Sequence, residues 1–268
     1  MSRFVLSDQS KVSIVTISYN QGQFLEVCMR SVLEQDYPNL EYIVIDGGSN
    51  DNSIDIIEKY SDQLAYWQSQ KDGGQTDAIN QGFSHANGEI LAWLNSDDVM
   101  LPGAVSKAVA GLKANPEAGM VYGDCLLINA DGNTLGHFPA AQTDYGKLRQ
   151  GYVHIPQQAS FWRAELWQQV SPLDSSFYFA MDYDLWVRLA KLAPLVYLPG
   201  EPWAAFRLHG SAKSIAEDDR CWPEMMRVHY RNGGKALSLM TLKYRVRKLV
   251  APIITWRRRR RYVEKTNN

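Results

Sequence analysis

The chain has 268 residues, of which 45% are hydrophobic and 11% aromatic, and it carries 28 Lys+Arg against 29 Asp+Glu. This composition excludes a disordered chain, a collagen-like fibre and a coiled coil, and the length fits one large domain or two fused halves. No window reaches the roughly 18 apolar residues that a membrane span needs, and the first residues show no signal-peptide pattern. Three widely separated cysteines predict reduced thiols in a cytoplasmic protein.

Charge is distributed unevenly along the chain. Residues 1–240 hold 18 basic and 28 acidic side chains, a net charge of −10, whereas residues 241–268 hold 10 basic side chains and one glutamate, a net charge of +9. This basic segment also contains apolar residues, a pattern typical of helices that lie on an anionic membrane surface, at about 1 kcal/mol for each basic residue. A solvated basic terminus is the alternative. Nucleic acid is disfavoured because the acidic body would repel its phosphates.

Hydrophobic periodicity predicts strands that alternate with helices through the first half of the chain. Strands are predicted at residues 12–18, 40–45, 64–68 and 89–94. Helices are predicted at residues 23–34, 53–60, 76–86 and 102–114. Because each strand is followed by a helix, we expect an α/β fold with a mainly parallel central sheet and helices on both faces.

The second half of the chain is less regular. A hairpin is predicted from strands at residues 121–129 and 134–138, which flank the turn signal Asp131-Gly132-Asn133. Further strands are predicted at residues 158–162, 196–198 and 203–208, and a helix at residues 182–192. From residue 214 onward the pattern is mostly helical and basic, which predicts a helical C-terminal extension.

Polar clusters follow three of the predicted strands: Ser18-Tyr19-Asn20, Asp46-Gly47-Gly48-Ser49 and Asn95-Ser96-Asp97-Asp98. In an open parallel sheet, ligands bind beyond the carboxyl ends of the strands, so these clusters are expected to share one crevice. The Tyr19 ring could stack on a base, and a carboxylate could accept hydrogen bonds from a ribose. Adjacent carboxylates at Asp97 and Asp98 favour Mg²⁺ or Mn²⁺, which would neutralise a diphosphate.

Any one of the carboxylates could simply cap a helix or a turn, as aspartate often does, but three clusters at strand ends favour a binding site. The chain has no GxGxxG after the first strand and no GxxxxGK[ST] anywhere, which excludes the usual dinucleotide and P-loop sites. Phosphates would therefore depend on a metal and on basic side chains.

Four segments in order resemble family 2 glycosyltransferases, a resemblance that extends over about residues 12–210. They are residues 12–20 (VSIVTISYN), 45–51 (IDGGSND), 72–82 (DGGQTDAINQG) and 94–98 (LNSDD). The resemblance implies a GT-A fold and an inverting transfer from a nucleotide-sugar, commonly a UDP-sugar, with the help of Mn²⁺ or Mg²⁺.

The resemblance also implies roles for individual residues. Tyr19 and Asp46 resemble nucleobase contacts, and Asp72 resembles a base or ribose contact. Asp97 and Asp98 resemble the region that holds ribose and metal. Asn95 stands where the family has its first aspartate, which leaves open whether Asp97 or Asp98 contacts the metal.

A single-displacement sugar transfer needs a carboxylate to deprotonate the acceptor hydroxyl, and the segment around residues 182–188 offers two. Asp184 lies four residues before Arg188, so the two can pair on one helical face. Asp182 has no such partner and is our predicted base, in agreement with the family resemblance. The alternative is a helix cap, and a helix N-terminus lowers the pKa of an aspartate unless burial offsets it.

The last group of predicted site residues comes from the second half of the chain. The segment 152–162 is rich in rings and hydrogen-bonding groups and resembles the family's acceptor-side segment; an ordinary strand is the alternative. Its predicted acceptor contacts are His154, Gln157, Gln158 and Trp162. After a later strand, Arg207 could bind the diphosphate and His209 could ligate the metal, although a structural histidine is equally plausible.

The predicted protein is an inverting glycosyltransferase on the inner face of the membrane, acting on a saccharide or lipid-linked saccharide as in surface polysaccharide synthesis. Residues 1–125 would form the nucleotide-sugar-binding half, 126–212 the acceptor and catalytic-base half of the same domain, and 213–268 the basic extension. The alternative is a catalytically inactive nucleotide-sugar-binding scaffold at the membrane, which the three carboxylates Asp97, Asp98 and Asp182 disfavour.

Overall fold

The computed structural model describes residues 6–7, 9–210, 212–213 and 218–262. In chain order, the strands are β1 (Val12–Ser18), β2 (Leu40–Asp46), β3 (Tyr66–Ser69), β4 (Ile90–Asn95), β5 (Val99–Met100), β6 (Met120–Tyr122), β7 (Cys125–Ile128), β8 (Thr134–His137), β9 (Ser160–Arg163), β10 (Leu195–Tyr197) and β11 (Ala204–Arg207). The helices are α1 (Gly22–Leu33), α2 (Ser53–Lys59), α3 (Gln75–His85), α4 (Ala104–Ala114), α5 (Tyr145–Leu148), α6 (Ala164–Val170), α7 (Met181–Leu192), α8 (Asp218–Arg231) and α9 (Leu239–Tyr262).

A seven-stranded sheet in the order β10-β6-β9-β4-β1-β2-β3 forms the centre of the fold. It is parallel except at β9, which runs antiparallel to both of its neighbours. The register pairs Ser18 with Asp46 and Ile17 with Asn95, so β1, β2 and β4 end at one edge of the sheet. The predicted mainly parallel α/β architecture is confirmed.

Helices cover both faces of this sheet, and the side chains of its inner strands alternate between the two faces. On β1, Val15 and Ile17 enter one hydrophobic core and Val12 and Ile14 enter the other, as the two-residue period of a strand requires. The first core also takes residues from α3, α6 and α7. The second takes residues from α1, α2 and α4.

A second, four-stranded sheet in the order β5-β11-β7-β8 lies beside the first and corrects one prediction. The strand predicted at residues 121–129 is in fact two strands, β6 and β7, which belong to different sheets. The chain leaves the first sheet at Gly123, where a Cβ would lie 2.4 Å from the ring carbon Cδ2 of Trp203. Glycine therefore lets Trp203 pack against the backbone at this break. The short elements β5, α5 and α6 were not predicted.

The C-terminal extension is a helix pair packed on the α/β body. Helix α8 contacts α7, and α9 contacts α8, with the rings of Trp222 and Tyr244 stacked at 6.5 Å. This agrees with the helical extension predicted from residue 214, although residues 214–217 and 263–268 lie outside the described residues. Among the helices of the described part of the chain, none combines the length and apolar character required to cross a bilayer.

Candidate active site

A cavity of about 910 Å³ opens at the edge of the sheet where β1, β2 and β4 end. Tyr19, Gly47 and Asp97, which follow these three strands, line it, as does Asp182 in the first turn of α7. The parallel register therefore brings together the segments that the sequence pattern placed in one crevice. These groups therefore face one cavity of a size typical of small-molecule sites.

Tyr19 and Asp72 flank one part of this cavity. The Tyr19 side chain is 60% exposed, and burial raises the pKa of Asp72, with a smaller contribution from neighbouring carboxylates. A Cβ on Gly47 would lie 3.0 Å from Asp72 Oδ2 and 3.4 Å from Tyr19 Cδ2. Glycine at residue 47 thus keeps the space between an aromatic ring and a carboxylate open, an arrangement suited to a base and its ribose.

Asp46 does not line the cavity, which corrects its predicted contact with a nucleobase. Its side chain is completely buried, and its Oδ1 accepts a hydrogen bond from Ser49 Oγ at 2.5 Å. Its Oδ2 accepts from Ser49 N at 2.8 Å, Ser69 Oγ at 2.7 Å and Gly48 N at 3.1 Å. These bonds hold the turn after β2, in which Gly48 has a φ of +80°. Asp46 therefore shapes the cavity wall through the backbone.

Asp97 and His209 form a pair of potential metal ligands. The Oδ2 of Asp97 lies 3.0 Å from Nε2 of His209, and Asp97 lines the cavity. A carboxylate oxygen is the kind of ligand that Mn²⁺ and Mg²⁺ prefer, and the imidazole of His209, which is buried and does not line the cavity, could supply one nitrogen beside it. Within the described ranges no cluster of three His, Cys, Asp or Glu side chains is arranged to hold a metal. The pair therefore suits a cation that takes its other ligands from phosphate oxygens and water.

Asp98 is turned away from the cavity, which corrects its prediction as a metal ligand. Its Oδ1 accepts from Arg207 N at 2.9 Å, and its Oδ2 accepts from Gln158 Nε2 at 2.9 Å and Asn95 Nδ2 at 3.3 Å. Burial, with a contribution from Asp97, raises the pKa of this carboxyl well above its ordinary value. Asn95 fits here because its amide can donate to Asp98, which an aspartate carboxylate could not do.

Arg207 does not reach the cavity either, which corrects its predicted contact with a diphosphate. Its buried guanidinium donates from Nε to the Asp97 carbonyl at 2.7 Å and from Nη1 to the Ala130 carbonyl at 2.8 Å. It also lies 4.8 Å from the centre of the Phe24 ring. The guanidinium therefore holds the backbone at Asp97 and is not directed at a ligand.

Two lysines line the cavity instead. Lys71 precedes Asp72, and Lys213 Nζ donates to Gln75 Oε1 at 2.7 Å and lies 3.7 Å from the centre of the Tyr178 ring. The sequence pattern did not identify Lys213 as a site residue. The only signal for Lys213 was its position four residues after His209.

Asp182 and Asp184 have different surroundings on α7, as the helical pattern predicts. Asp184 Oδ2 lies 2.9 Å from Arg188 Nε, which confirms their predicted pairing. Asp182 lines the cavity and its Oδ1 accepts from Tyr183 N at 2.7 Å. Burial raises the pKa of Asp182 to about 6 and outweighs the opposing effect of that backbone N–H. A carboxylate with this pKa is suited to accept a proton near neutral pH.

The predicted acceptor residues lie in three different places. Gln157 and Gln158 line the cavity floor, where Gln157 Nε2 donates to the Trp93 carbonyl at 2.7 Å. His154 lies outside the cavity lining, with its Nδ1 3.0 Å from the Pro139 carbonyl oxygen. Trp162 is completely buried and packs edge-on against Trp93 at 5.5 Å. It is therefore a core residue, and its predicted contact with an acceptor is wrong.

Comparisons with known sequences agree with this geometry. Residues 13–163 match the family described as Glycosyl transferase family 2. An uncharacterized glycosyltransferase of Mycobacterium tuberculosis is 35% identical over 183 residues, which cover 67% of this chain and 68% of that protein. An uncharacterized glycosyltransferase of Rickettsia conorii is 29% identical over 195 residues, which cover 69% of this chain and 32% of that protein.

Solved structures share the fold. TarS of S. aureus in complex with UDP-GlcNAc has a TM-score of 0.64 at 16% identity, with 83% of this chain and 66% of that chain covered. Mannosyltransferase PcManGT from Pyrobaculum calidifontis in complex with GDP-Man and Mn²⁺ has a TM-score of 0.62 at 18% identity, with 82% and 65% covered. The chain thus spans about two thirds of each. The family match over residues 13–163 and the relative that is 35% identical show that this chain belongs to glycosyl transferase family 2, with a GT-A fold.

Proposed function

We propose that the protein transfers a sugar from a nucleotide-sugar, with a UDP-sugar as the first choice, to an acceptor hydroxyl with inversion at the anomeric carbon. The observation that carries this proposal is that Tyr19, Asp72, Asp97 and Asp182 line one cavity. The structural neighbours with UDP-GlcNAc and with GDP-Man and Mn²⁺ are compatible with a nucleotide-sugar but differ in the base.

On the donor side, the exposed ring of Tyr19 stacks on the base and Asp72 accepts a hydrogen bond from the base or the ribose. Asp97 and His209 would hold a divalent cation, which when bound would neutralise charge on the diphosphate leaving group. Lys71 and Lys213 also line the cavity and add positive charge near the phosphates. The donor is thus oriented with its sugar toward the first turn of α7.

On the acceptor side, Asp182 takes the proton of the attacking hydroxyl. With a pKa of about 6, its side chain is mostly ionised at pH 7 and still basic enough to accept a proton in the transition state. Attack from the face opposite the diphosphate breaks the anomeric C–O bond in the same step. A single displacement of this kind inverts the anomeric configuration.

The test is a donor-hydrolysis assay with UDP-GlcNAc and GDP-mannose, each with and without Mn²⁺, because water can replace the unidentified acceptor. We expect Mn²⁺-stimulated release of the nucleotide, reduced by at least about 10²-fold in Asp182→Asn, with donor affinity unchanged. Asp62→Asn, on the exposed surface, is the matched control and should be unaffected. Tight donor binding without turnover would favour the inactive scaffold and overturn the proposed function.

We also propose that the protein binds an anionic membrane through α9 and extends a lipid-linked saccharide there. Leu242, Val246 and Leu249 follow one another at the spacing of a single helical face and are 58%, 51% and 81% exposed. Lys243 and Arg247 flank this apolar stripe. An exposed apolar stripe with neighbouring cations fits the boundary between lipid headgroups and acyl chains.

Co-sedimentation with vesicles tests this attachment. Replacing the three stripe residues with glutamine should reduce binding to phosphatidylserine-containing vesicles, and raising the salt concentration should reduce it further. Leu135→Gln, at an equally exposed leucine on β8, is the control. Binding that is the same for pure phosphatidylcholine vesicles, or for the triple variant, would contradict the attachment.

A further inference from the structure

The turn that precedes α7 is held by a carboxylate from the C-terminal helix pair. Glu224, on α8, accepts hydrogen bonds from three consecutive backbone N–H groups, those of Tyr178, Phe179 and Ala180. Oε2 lies 3.1 Å from Tyr178 N, 2.7 Å from Phe179 N and 3.0 Å from Ala180 N, and Oε1 lies 2.9 Å from Tyr178 N. One side chain thus holds the backbone of the whole turn.

Helix α7 has no cap of its own. Its N-cap residue is Ala180, whose side chain cannot accept a hydrogen bond, although the first N–H groups of a helix need partners. Glu224 meets part of this need from a position 44 residues later in the chain. Its negative charge also lies at the positive end of the α7 dipole, where anions are stabilising.

Other residues of α8 hold the same segment. The guanidinium of Arg227 lies 3.9 Å from the centre of the Phe177 ring, and its Nη2 donates to the Ser176 carbonyl at 2.8 Å. Arg231 Nη1 lies 2.5 Å from Asp174 Oδ2. Helix α8 therefore holds residues 174–180 from one side, while Tyr178 and Phe179 form part of the cavity wall on the other.

From this arrangement we propose that Glu224 is a positioning residue for the base Asp182. Asp182 lies two residues after Ala180, the last residue of the turn that Glu224 binds. The inference rests on the proposed function, in which Asp182 takes the acceptor proton. Glu224 fixes the direction in which the first turn of α7 enters the cavity, and so fixes where the Asp182 carboxylate meets the hydroxyl. Helix α8 is thereby part of the catalytic machinery. A displacement of a catalytic group by about 1 Å can cost about 10²-fold in rate.

The positioning role predicts a particular pattern of kinetic effects. Glu224→Ala should lower kcat by about 10-fold or more while donor Kd stays within about 2-fold, because Tyr19, Asp72 and Asp97 lie on other segments of the chain. Glu224→Asp keeps the charge and should recover part of the rate. Glu201→Gln, at an exposed glutamate paired with Lys107, is the matched control and should leave kcat unchanged.

A double-mutant cycle separates positioning from general destabilisation. In an Asp182→Asn background, Glu224→Ala should reduce donor hydrolysis no further, because the group that it positions is already absent. A further reduction by the same factor as in the wild-type background would overturn the inference, as would an unchanged kcat in the single variant. If Glu224→Ala fails to fold, Glu224→Gln with an unaltered thermal midpoint serves in the same cycle. Wild-type turnover by Asp182→Asn alone would instead overturn the proposed function.

Discussion

Asp182→Asn should make the protein more stable at neutral pH as well as less active. Burial raises the pKa of Asp182 from 3.8 to about 6, a shift of about two pH units. At about 1.4 kcal/mol for each unit, the ionised carboxylate costs the folded state up to about 3 kcal/mol at pH 7. Asparagine occupies the same space and its Oδ1 can keep the bond from Tyr183 N, so it removes the charge and little else.

The pH dependence of this gain follows from the direction of the shift. Because the pKa is raised on folding, the folded protein binds the proton more tightly than the unfolded chain, and stability falls as pH rises from about 4 to about 6. Asp182→Asn has no carboxyl group at this position, so its stability does not fall in this way as the pH rises. Its advantage should therefore be about 1–3 kcal/mol at pH 7 and should vanish at about pH 4 and below.

Urea unfolding of both proteins at several pH values between 4 and 7 measures the difference directly. Asp62→Asn serves again as the control, since an exposed carboxylate should give no such pH-dependent gain. An Asp182→Asn protein that is less stable than wild type at pH 7, or a difference that is constant across the range, would refute the assignment of a raised pKa to this side chain.

Four other substitutions test separate parts of the protein. Tyr19→Ala should weaken UDP binding about 10-fold in calorimetry, because base–aromatic stacking contributes about 1–3 kcal/mol; unchanged affinity would exclude stacking. Trp162→Ala should lower the free energy of unfolding by about 3–5 kcal/mol in urea, as expected for a core aromatic residue; a surface-like loss below about 0.5 kcal/mol would contradict its burial. Asp97→Asn should abolish Mn²⁺-dependent stimulation of donor hydrolysis, whereas Asp98→Asn should mainly reduce the thermal midpoint; equal metal effects would show that both carboxylates contact the cation.

The sheet edge could be predicted because strand ends are local features. Strand β1 has the predicted bounds, and the β1, β2 and β4 ends meet at one edge because the predicted order of strands and helices requires parallel pairing. The pairing of Asp184 with Arg188 could be predicted for the same reason, since both residues lie on one helix. Local sequence periodicity was therefore sufficient to predict both the shared sheet edge and this ion pair.

The roles of several polar residues depended on partners that are distant in sequence. Arg207 looks like a phosphate-binding cation, but its guanidinium bonds to carbonyls at residues 97 and 130. Asp98 looks equivalent to Asp97 until the backbone of Arg207 and the amide of Gln158 are placed around it. Residue type gives the chemistry of a side chain, whereas only the tertiary packing decides whether that chemistry faces a ligand or the protein itself.

The sequence pattern could not predict that Trp162 faces the core, for a related reason. Strand β9 enters the first sheet antiparallel between β4 and β6, and this insertion covers both of its faces. A short strand with rings on both faces gives no local indication that neither face will be open to a ligand. The division of residues 121–129 between two sheets could not be predicted either. It depends on the packing of Trp203 against Gly123, and these two residues are distant in sequence.

The proposed role of Glu224 would place part of what turnover needs outside the residues that match the family. The matched region stops at residue 163, ahead of both Asp182 and the helix that steadies it. If Glu224 acts as proposed, a truncated protein that retains both sheets yet lacks α8 would still capture nucleotide but would be a poor catalyst. The end of the family match would then be a misleading guide to the smallest active enzyme. The helix that positions the Asp182 carboxylate lies after the matched residues.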